Sequence, residues 1–255
     1  MLDNRGVIPR FYSPDSTRAG EAIELPPDEA AHLVRVLRLG VGAPIQVFDG
    51  RGHAFDAAVE TIARGRVHVR LGGPCAAAPE PRVRVTLAQA VLKGDKMDDV
   101  VRDAVMIGAA AIQPVVTART EFALTSLHRG RRRERWGRIA IASAKQCGRA
   151  TVPPILEPLA LTGLTAALAA LTLPGPGLMF VEPSASDAAL TPNDLGGPPP
   201  RDATVLIGPE GGWTTQEVEH AAAACRLLTL GGRTLRADAM ALVALASLFT
   251  AWNDF

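Results

Sequence analysis

The stretch "LIGPEGGWT", Leu206 to Thr214, places three glycines, a proline and one carboxylate, Glu210, directly after an apolar run and before a capped helix start. A second loop, "LTLGGRTLRADA", Leu228 to Ala239, leaves a strand-like run through paired glycines and carries Arg233 and Arg236. Glycine permits positive φ and close backbone approach, which serves either a tight corner or a flat ligand laid against bare chain. A phosphate-cradling P-loop needs Lys followed by Ser or Thr, and a dinucleotide fingerprint needs GxGxxG at the first strand of its unit; neither is present. Two such loops at the C-terminal ends of adjacent strands point to a small-molecule site, because ligands collect at that edge of a parallel sheet.

The elements that must position these loops follow from periodicity. The first seventy or so residues read as short strands, with an Asp-Gly turn inside "IQVFDGRGHAFDAAVE" and alternation in "RGRVHVRLGG". One helix, "PPDEAAHLVRVLRLG", interrupts them, starting at Pro and ending at Gly40. "GGPCAAAPEP", Gly72 to Pro81, reads as a linker. From Arg82 strands alternate with helices, the signature of a parallel sheet covered on both faces. "DKMDDVVRDAVMIG" is an amphipathic helix with Met97, Val100, Val101, Ala104 and Val105 on one face and Gly108 at its end. Thr214 and Glu217 have capping-box spacing, and "ADAMALVALASLFTAW" is a helix apolar all round, to be covered by its own domain or a second subunit. The fold class is thus α/β, with domains at 1–72 and 82–255 joined by 73–81.

Net charge is +1, which by itself predicts no polyanion partner, but residues 129 to 149 hold eight Lys or Arg against one Glu. That local charge of +7 is a candidate nucleic-acid patch. Three cysteines, Cys75, Cys147 and Cys225, have neither disulfide-framework nor metal spacing, and the five histidines form no metal cluster. The N-terminal residues lack a leader's apolar core, and no apolar run reaches the ~18 residues of a membrane span. A cytoplasmic protein without metal or membrane partner is expected.

"LIGPEGGWTTQEVE" and "LTLGGRTLRADAMAL", with "KGDKMDDVVRDAVMIGAAAIQPV" and "RWGRIAIASAKQCGRATVPPI", resemble the RsmE family: bacterial 16S ribosomal RNA uridine-N3 methyltransferases of the SPOUT superclass. The likeness covers nearly the whole chain, and "RFYSP" through "EAAHLVRVLRLGVGAPIQVFDGRG" resembles that family's PUA-like RNA-binding domain. The resemblance implies a small β-rich PUA-like barrel, then a SPOUT domain whose C-terminal segment forms a trefoil knot, a rare exception to unknotted chains. It implies S-adenosyl-L-methionine as cofactor, a homodimer, and 16S rRNA or the assembled small ribosomal subunit as partner. Carried over residue by residue, Gly208, Glu210, Gly211, Gly212, Leu230, Gly231, Leu235 and Arg236 line the cofactor site, and Gly211→Val is expected to fill it. Where the family reads Leu-Arg-Thr-Glu-Thr-Ala, this chain has Leu235-Arg236-Ala237-Asp238-Ala239-Met240, losing two hydroxyls and shortening the acid.

Methyl transfer to uridine N3 requires alignment behind the methyl group and loss of the imide proton, by a general base or with a cation on the developing anion. Glu210 and Asp238 are candidates for the first role and Arg236 for the second. Glu210 equally suits bonding the amides of its own loop, Asp238 suits a helix N-cap, and Arg236 a salt bridge. Arg10, Arg35 and Arg38 are candidate phosphate contacts, the last two on one side of a helix, where a solvated helix face is the alternative. Arg131, Arg132 and Arg133 are assigned to RNA, since such like charges repel unless solvated or paired. A SPOUT methyltransferase with another RNA target, or a non-catalytic RNA-binding knot dimer, are the rival readings.

Overall fold

Period-two patterning builds the first sheet from β1 (Arg10–Tyr12), β2 (Ala22–Glu24), β3 (Pro44–Phe48), β4 (Ala54–Ala63) and β5 (Arg66–Pro74). In β5, Val67, Val69 and Leu71 are buried while Arg66 and Arg70 face solvent. The computed structural model describes residues 8–173, 175–186 and 188–255. The reading of the N-terminus as no leader concerns in part residues 1–7, which lie outside these. The strands pair in the order β1-β3-β4-β5-β2, antiparallel except for β1 with β3. Phe11, Leu33, Val47, Val59 and Val69 form their common core. The Asp-Gly turn forms between β3 and β4: the buried Asp49 carboxylate accepts from the backbone N–H groups of Arg51 (2.7 Å) and His53 (3.0 Å), and Gly50 takes φ +76°.

The interrupting helix differs from its sequence reading. α1 (Pro27–Ala31) runs into a π-helical turn, His32–Val36, where the Leu37 N–H reaches back to the His32 carbonyl at 3.1 Å. The chain then leaves through Arg38 at φ +53° rather than through Gly40. Leu33 is the buried anchor of this turn, and the wider coil brings its successors out to solvent.

The second sheet takes β6 (Arg84–Ala90), α2 (Lys96–Ile107), β7 (Ala111–Val116), α3 (Leu124–Arg129), α4 (Arg132–Cys147), β8 (Leu159–Ala160), α5 (Leu161–Ala169), β9 (Gly177–Phe180), β10 (Asp202–Ile207), α6 (Thr215–Ala222), β11 (Cys225–Leu228) and α7 (Ala237–Ala251). Its six strands are all parallel, in the order β11-β9-β10-β6-β7-β8. β9 is buried at every position and β10 at all but its first, as strands covered on both faces must be. α2 buries the five apolar residues that its period marks out, and Gly108 ends it in the left-handed region at φ +110°. The Thr214–Glu217 capping box starts α6 as its spacing predicts. α3, α5 and β8 lie where the sequence shows no clear period.

α7 is touched by α2, by β10 and by the 3-10 turn Pro192–Leu195 of the β9–β10 connection. Ala241, Ala244, Leu245, Leu248 and Phe249 are buried, while Leu242 and Val243 each remain 38 % exposed.

Two compact units result. One contains residues 1–80 with residues 141–152; the other contains residues 81–140 and 153–255. The return of residues 141–152 to the first unit has a chemical cause. Arg10 donates to the carbonyls of Ala144 (3.4 Å) and Arg149 (3.1 Å), Lys145 pairs with Glu29 at 2.7 Å, and the Arg149 fork grips Glu80 at 3.1 and 2.5 Å.

Candidate active site

The C-terminal ends of β9, β10 and β11 open into one cleft of about 280 Å³. The two glycine-bearing loops do converge, but their strands are not neighbours, because β9 lies between them. A third wall, Phe180 to Pro183 after β9, therefore lines the cleft and escaped the sequence reading. Its only sequence mark is the end of a buried apolar run. Lys96, from the first turn of α2, and Trp213 were missed as well.

Of the residues assigned from sequence, Gly208, Glu210, Gly212, Leu230, Leu235 and Arg236 line this cleft. Gly231 instead borders a neighbouring hollow against α7, beside Thr191 and Val243. Gly211 backs onto Arg119: a Cβ there would lie 3.2 Å from the Arg119 Cδ, so Gly211→Val would push that side chain and not fill the cleft. Arg119 Nη1 in turn donates to the carbonyls of Gly211 (2.5 Å) and Trp213 (3.3 Å), fixing the loop from the β7 side.

The glycines have distinct reasons. A Cβ on Gly208 would meet the Trp213 indole at 3.1 Å, so the bare backbone lets the ring lie flat on the loop while its Nε1–H donates to the Phe180 carbonyl at 2.8 Å. Gly212 is needed for its φ of +68°.

Glu210 is held from three directions. Its Oε1 accepts from the Lys93 backbone N–H (3.1 Å) and from the Lys96 ammonium (2.9 Å), and its own backbone N–H also bonds the carboxylate. Burial pushes the carboxyl pKa up. The Lys96 hydrogen bond, the backbone N–H groups of Glu210 and Lys93 and the Lys96 charge outweigh it and hold the value below the ordinary one. A carboxylate so stabilised is a weak proton acceptor. Since its folded-state pKa is depressed, its contribution to stability is fully present above the unfolded value, about 4.3, and is lost as pH falls through the lower folded value. Acid unfolding of Glu210→Gln is expected to lack this component: its stability curve should run flatter than wild type below about pH 4.5, as followed by circular dichroism.

Arg236 occupies the N-cap position of α7, 75 % exposed, and its Nε leans on Asp238 at 3.2 Å. Asp238 is not the N-cap expected of it; it sits in the first turn, where its charge suits the helix dipole.

The cleft fits a nucleoside carrying a charged tail. Phe180, Val181, Ile207, Leu230 and Met240 give the cleft apolar walls, and Glu182 and Asp238 set carboxylates beside them. Thr229 lies on the same wall, its hydroxyl buried and without a hydrogen-bond partner among the described residues.

The arginines assigned to RNA fall into different settings. Arg10 turns inward, its guanidinium over the Phe48 ring at 5.0 Å and bonded to backbone carbonyls, and burial lowers its pKa. Arg35 and Arg38 are exposed but do not share a helical face, because Arg38 lies beyond the π turn. Arg132 stacks on Phe122 at 4.0 Å, and Arg133 donates to the Ile155 carbonyl at 3.0 Å and pairs with Glu157. Arg131 is exposed, without an ion pair among the described residues. The basic run is thus partly neutralised: Arg135 pairs with Asp95 and Asp98, Lys145 with Glu29 and Arg149 with Glu80.

Among the described residues no helix is long and apolar enough to cross a membrane. Residues 79–249 match the model of the RNA methyltransferase domain, and residues 25–72 that of the RNA methyltransferase PUA domain. The ribosomal RNA small subunit methyltransferase E of a Synechocystis strain is 33% identical over 224 residues, 85% of this chain and 69% of that protein. The same-named protein of Rickettsia conorii is 28% identical over 94% of each chain. A crystal structure of ribosomal RNA small subunit methyltransferase E from Neisseria gonorrhoeae bound to S-adenosyl methionine superposes with a TM-score of 0.85 at 30% identity, covering 96% of this chain and 98% of that one. With both domains matched along the chain and these relatives covered over most of their length, the chain belongs to the ribosomal RNA small subunit methyltransferase E family.

Proposed function

We propose that this chain transfers the methyl group of S-adenosylmethionine to N3 of one uridine in 16S ribosomal RNA, free or within the assembled small subunit, in the cytoplasm. The observation that carries this reading is the cleft itself, with an apolar slot and three acids, Glu182, Glu210 and Asp238, at the meeting of three loops. When bound, the cofactor supplies a methyl group on a positively charged sulfur. Gly208, Gly212, Leu230 and Leu235 would hold the adenosyl part against the loops, and Arg236, at the mouth, would offer a cation to the incoming nucleotide. Gly211 and Gly231 would act on the shape of those loops rather than touch the ligand. Of the six arginines assigned to RNA, the exposed Arg35, Arg38, Arg131 and Arg132 would contact phosphates, with the PUA domain carrying the first pair.

The protein would act as a homodimer. Support comes from the part-exposed Leu242 and Val243 on an otherwise apolar C-terminal helix, a surface that an aqueous monomer gains by covering. Mass spectrometry of 16S rRNA from cells lacking the gene tests the reaction: one N3-methyluridine should be missing and should return with the gene. A different methylated nucleoside, or none, would redirect or end the assignment.

A further inference from the structure

Three cations line the cleft, Lys96, Arg233 and Arg236. Arg233 and Arg236 are exposed, whereas Lys96 is 35 % exposed and braced against Glu210, itself 24 % exposed. Lys96 is also badly placed for helix stability. As the first residue of α2, next to the N-cap Asp95, it sets a positive charge at the positive end of the helix dipole. A residue that breaks a local rule at a cleft wall is better explained by the site than by the fold. Its ammonium has three N–H donors, of which Glu210 takes one, leaving donors for a ligand.

We propose that Lys96 is a catalytic residue: its ammonium donates a hydrogen bond to a carbonyl oxygen of the acceptor uracil and stabilises the imide anion, with Glu210 as its positioning residue. This rests on the uridine-N3 reading above. The step balances without a further reactant. The N3 proton leaves to water, the nitrogen pair forms the bond to the methyl carbon, and the carbon–sulfur pair stays on sulfur, which loses its positive charge. Negative charge that would otherwise build on the carbonyl oxygens is met at Lys96, where a part-buried donor counts for more than in water. Glu210 keeps the ammonium at the wall, which explains why this carboxylate is tied up by donors and is not itself the base.

The test compares Lys96→Met, Lys96→Arg and Glu210→Gln with wild type, after thermal unfolding has established that each folds. Lys96→Met should lose on the order of 100-fold in single-turnover rate at neutral pH, keep its calorimetric cofactor affinity within about threefold, and recover as pH rises and the imide ionises unaided. Lys96→Arg should regain part of the rate, and Glu210→Gln should lose less than Lys96→Met. A readout independent of turnover uses cofactor-free protein and an RNA fragment carrying 5-fluorouridine, whose imide ionises more readily, at the modified position. Wild type should bind it more tightly than the uridine fragment as pH rises, and Lys96→Met should show no such preference. A Lys96→Met rate within threefold of wild type, a pH profile parallel to wild type, or cofactor affinity falling in step with rate would each overturn the proposal. Wild-type protein that methylates no N3 position would instead sink the reading on which it rests.

Discussion

Gly208→Val should weaken S-adenosylmethionine binding about 100-fold, roughly 2.7 kcal/mol, while leaving the protein folded. Gly208 does not need a positive φ, so the substitution strains contacts rather than backbone. Even a single added carbon would lie 3.1 Å from the Trp213 Cε2 and Nε1, and the two further methyl groups of valine add to that crowding. Moving the ring breaks the 2.8 Å bond to the Phe180 carbonyl and releases the β9 wall from the β10 wall. Gly208→Ala should cost several-fold less, because a shift of a few tenths of an ångström relieves it. Calorimetry gives the affinity, and Trp213 is its own reporter, since its emission should change on ligand entry and Trp213→Phe should abolish that change. Wild-type affinity in Gly208→Val would remove the loop from the cofactor site.

The second large effect concerns stability. Arg149→Met should destabilise the first unit by about 1–3 kcal/mol, because the buried fork loses its charge-assisted bonds while Glu80, 38 % exposed, is taken up by water. Arg149 is 3 % exposed and grips Glu80 through two bonds of 3.1 and 2.5 Å. Loss should appear as a lower urea midpoint and, in hydrogen exchange, as faster exchange in residues 141–152 than in the strands β3 to β5. Replacing Glu80 as well, by Leu, should restore little of the stability, since the exposed carboxylate is solvated without its partner. A change below about 1 kcal/mol in Arg149→Met would mean that the pair contributes no more than a surface ion pair.

Legibility in the sequence followed the range of the interactions. α2 was readable because its cause is local: five apolar residues at helical spacing and a glycine at the end. The same holds for the Thr214–Glu217 box and for the two glycine loops. Strand order is not local, and the insertion of β9 between β10 and β11 hid the Phe180–Pro183 wall. Charge pairing was equally hidden. Arg149 and Glu80 are 69 residues apart and Lys145 and Glu29 are 116 apart, so a run that reads as bare positive charge is partly spoken for in the fold. The helix before Gly40 misled for a subtler reason: the sequence offers a glycine terminator, but Leu33 is gripped by the core, and the coil widens and ends two residues earlier.

The placement of β11 and α7 has a consequence for the birth of the protein. Two of the three walls are synthesised by residue 213, yet the third arrives with residues 229 to 240, and the helix that follows packs against α2, β10 and the β9–β10 connection. The slot therefore cannot close until β11 has joined β9 and the loop after it has reached the cleft, so the cofactor site is among the last parts of this unit to form.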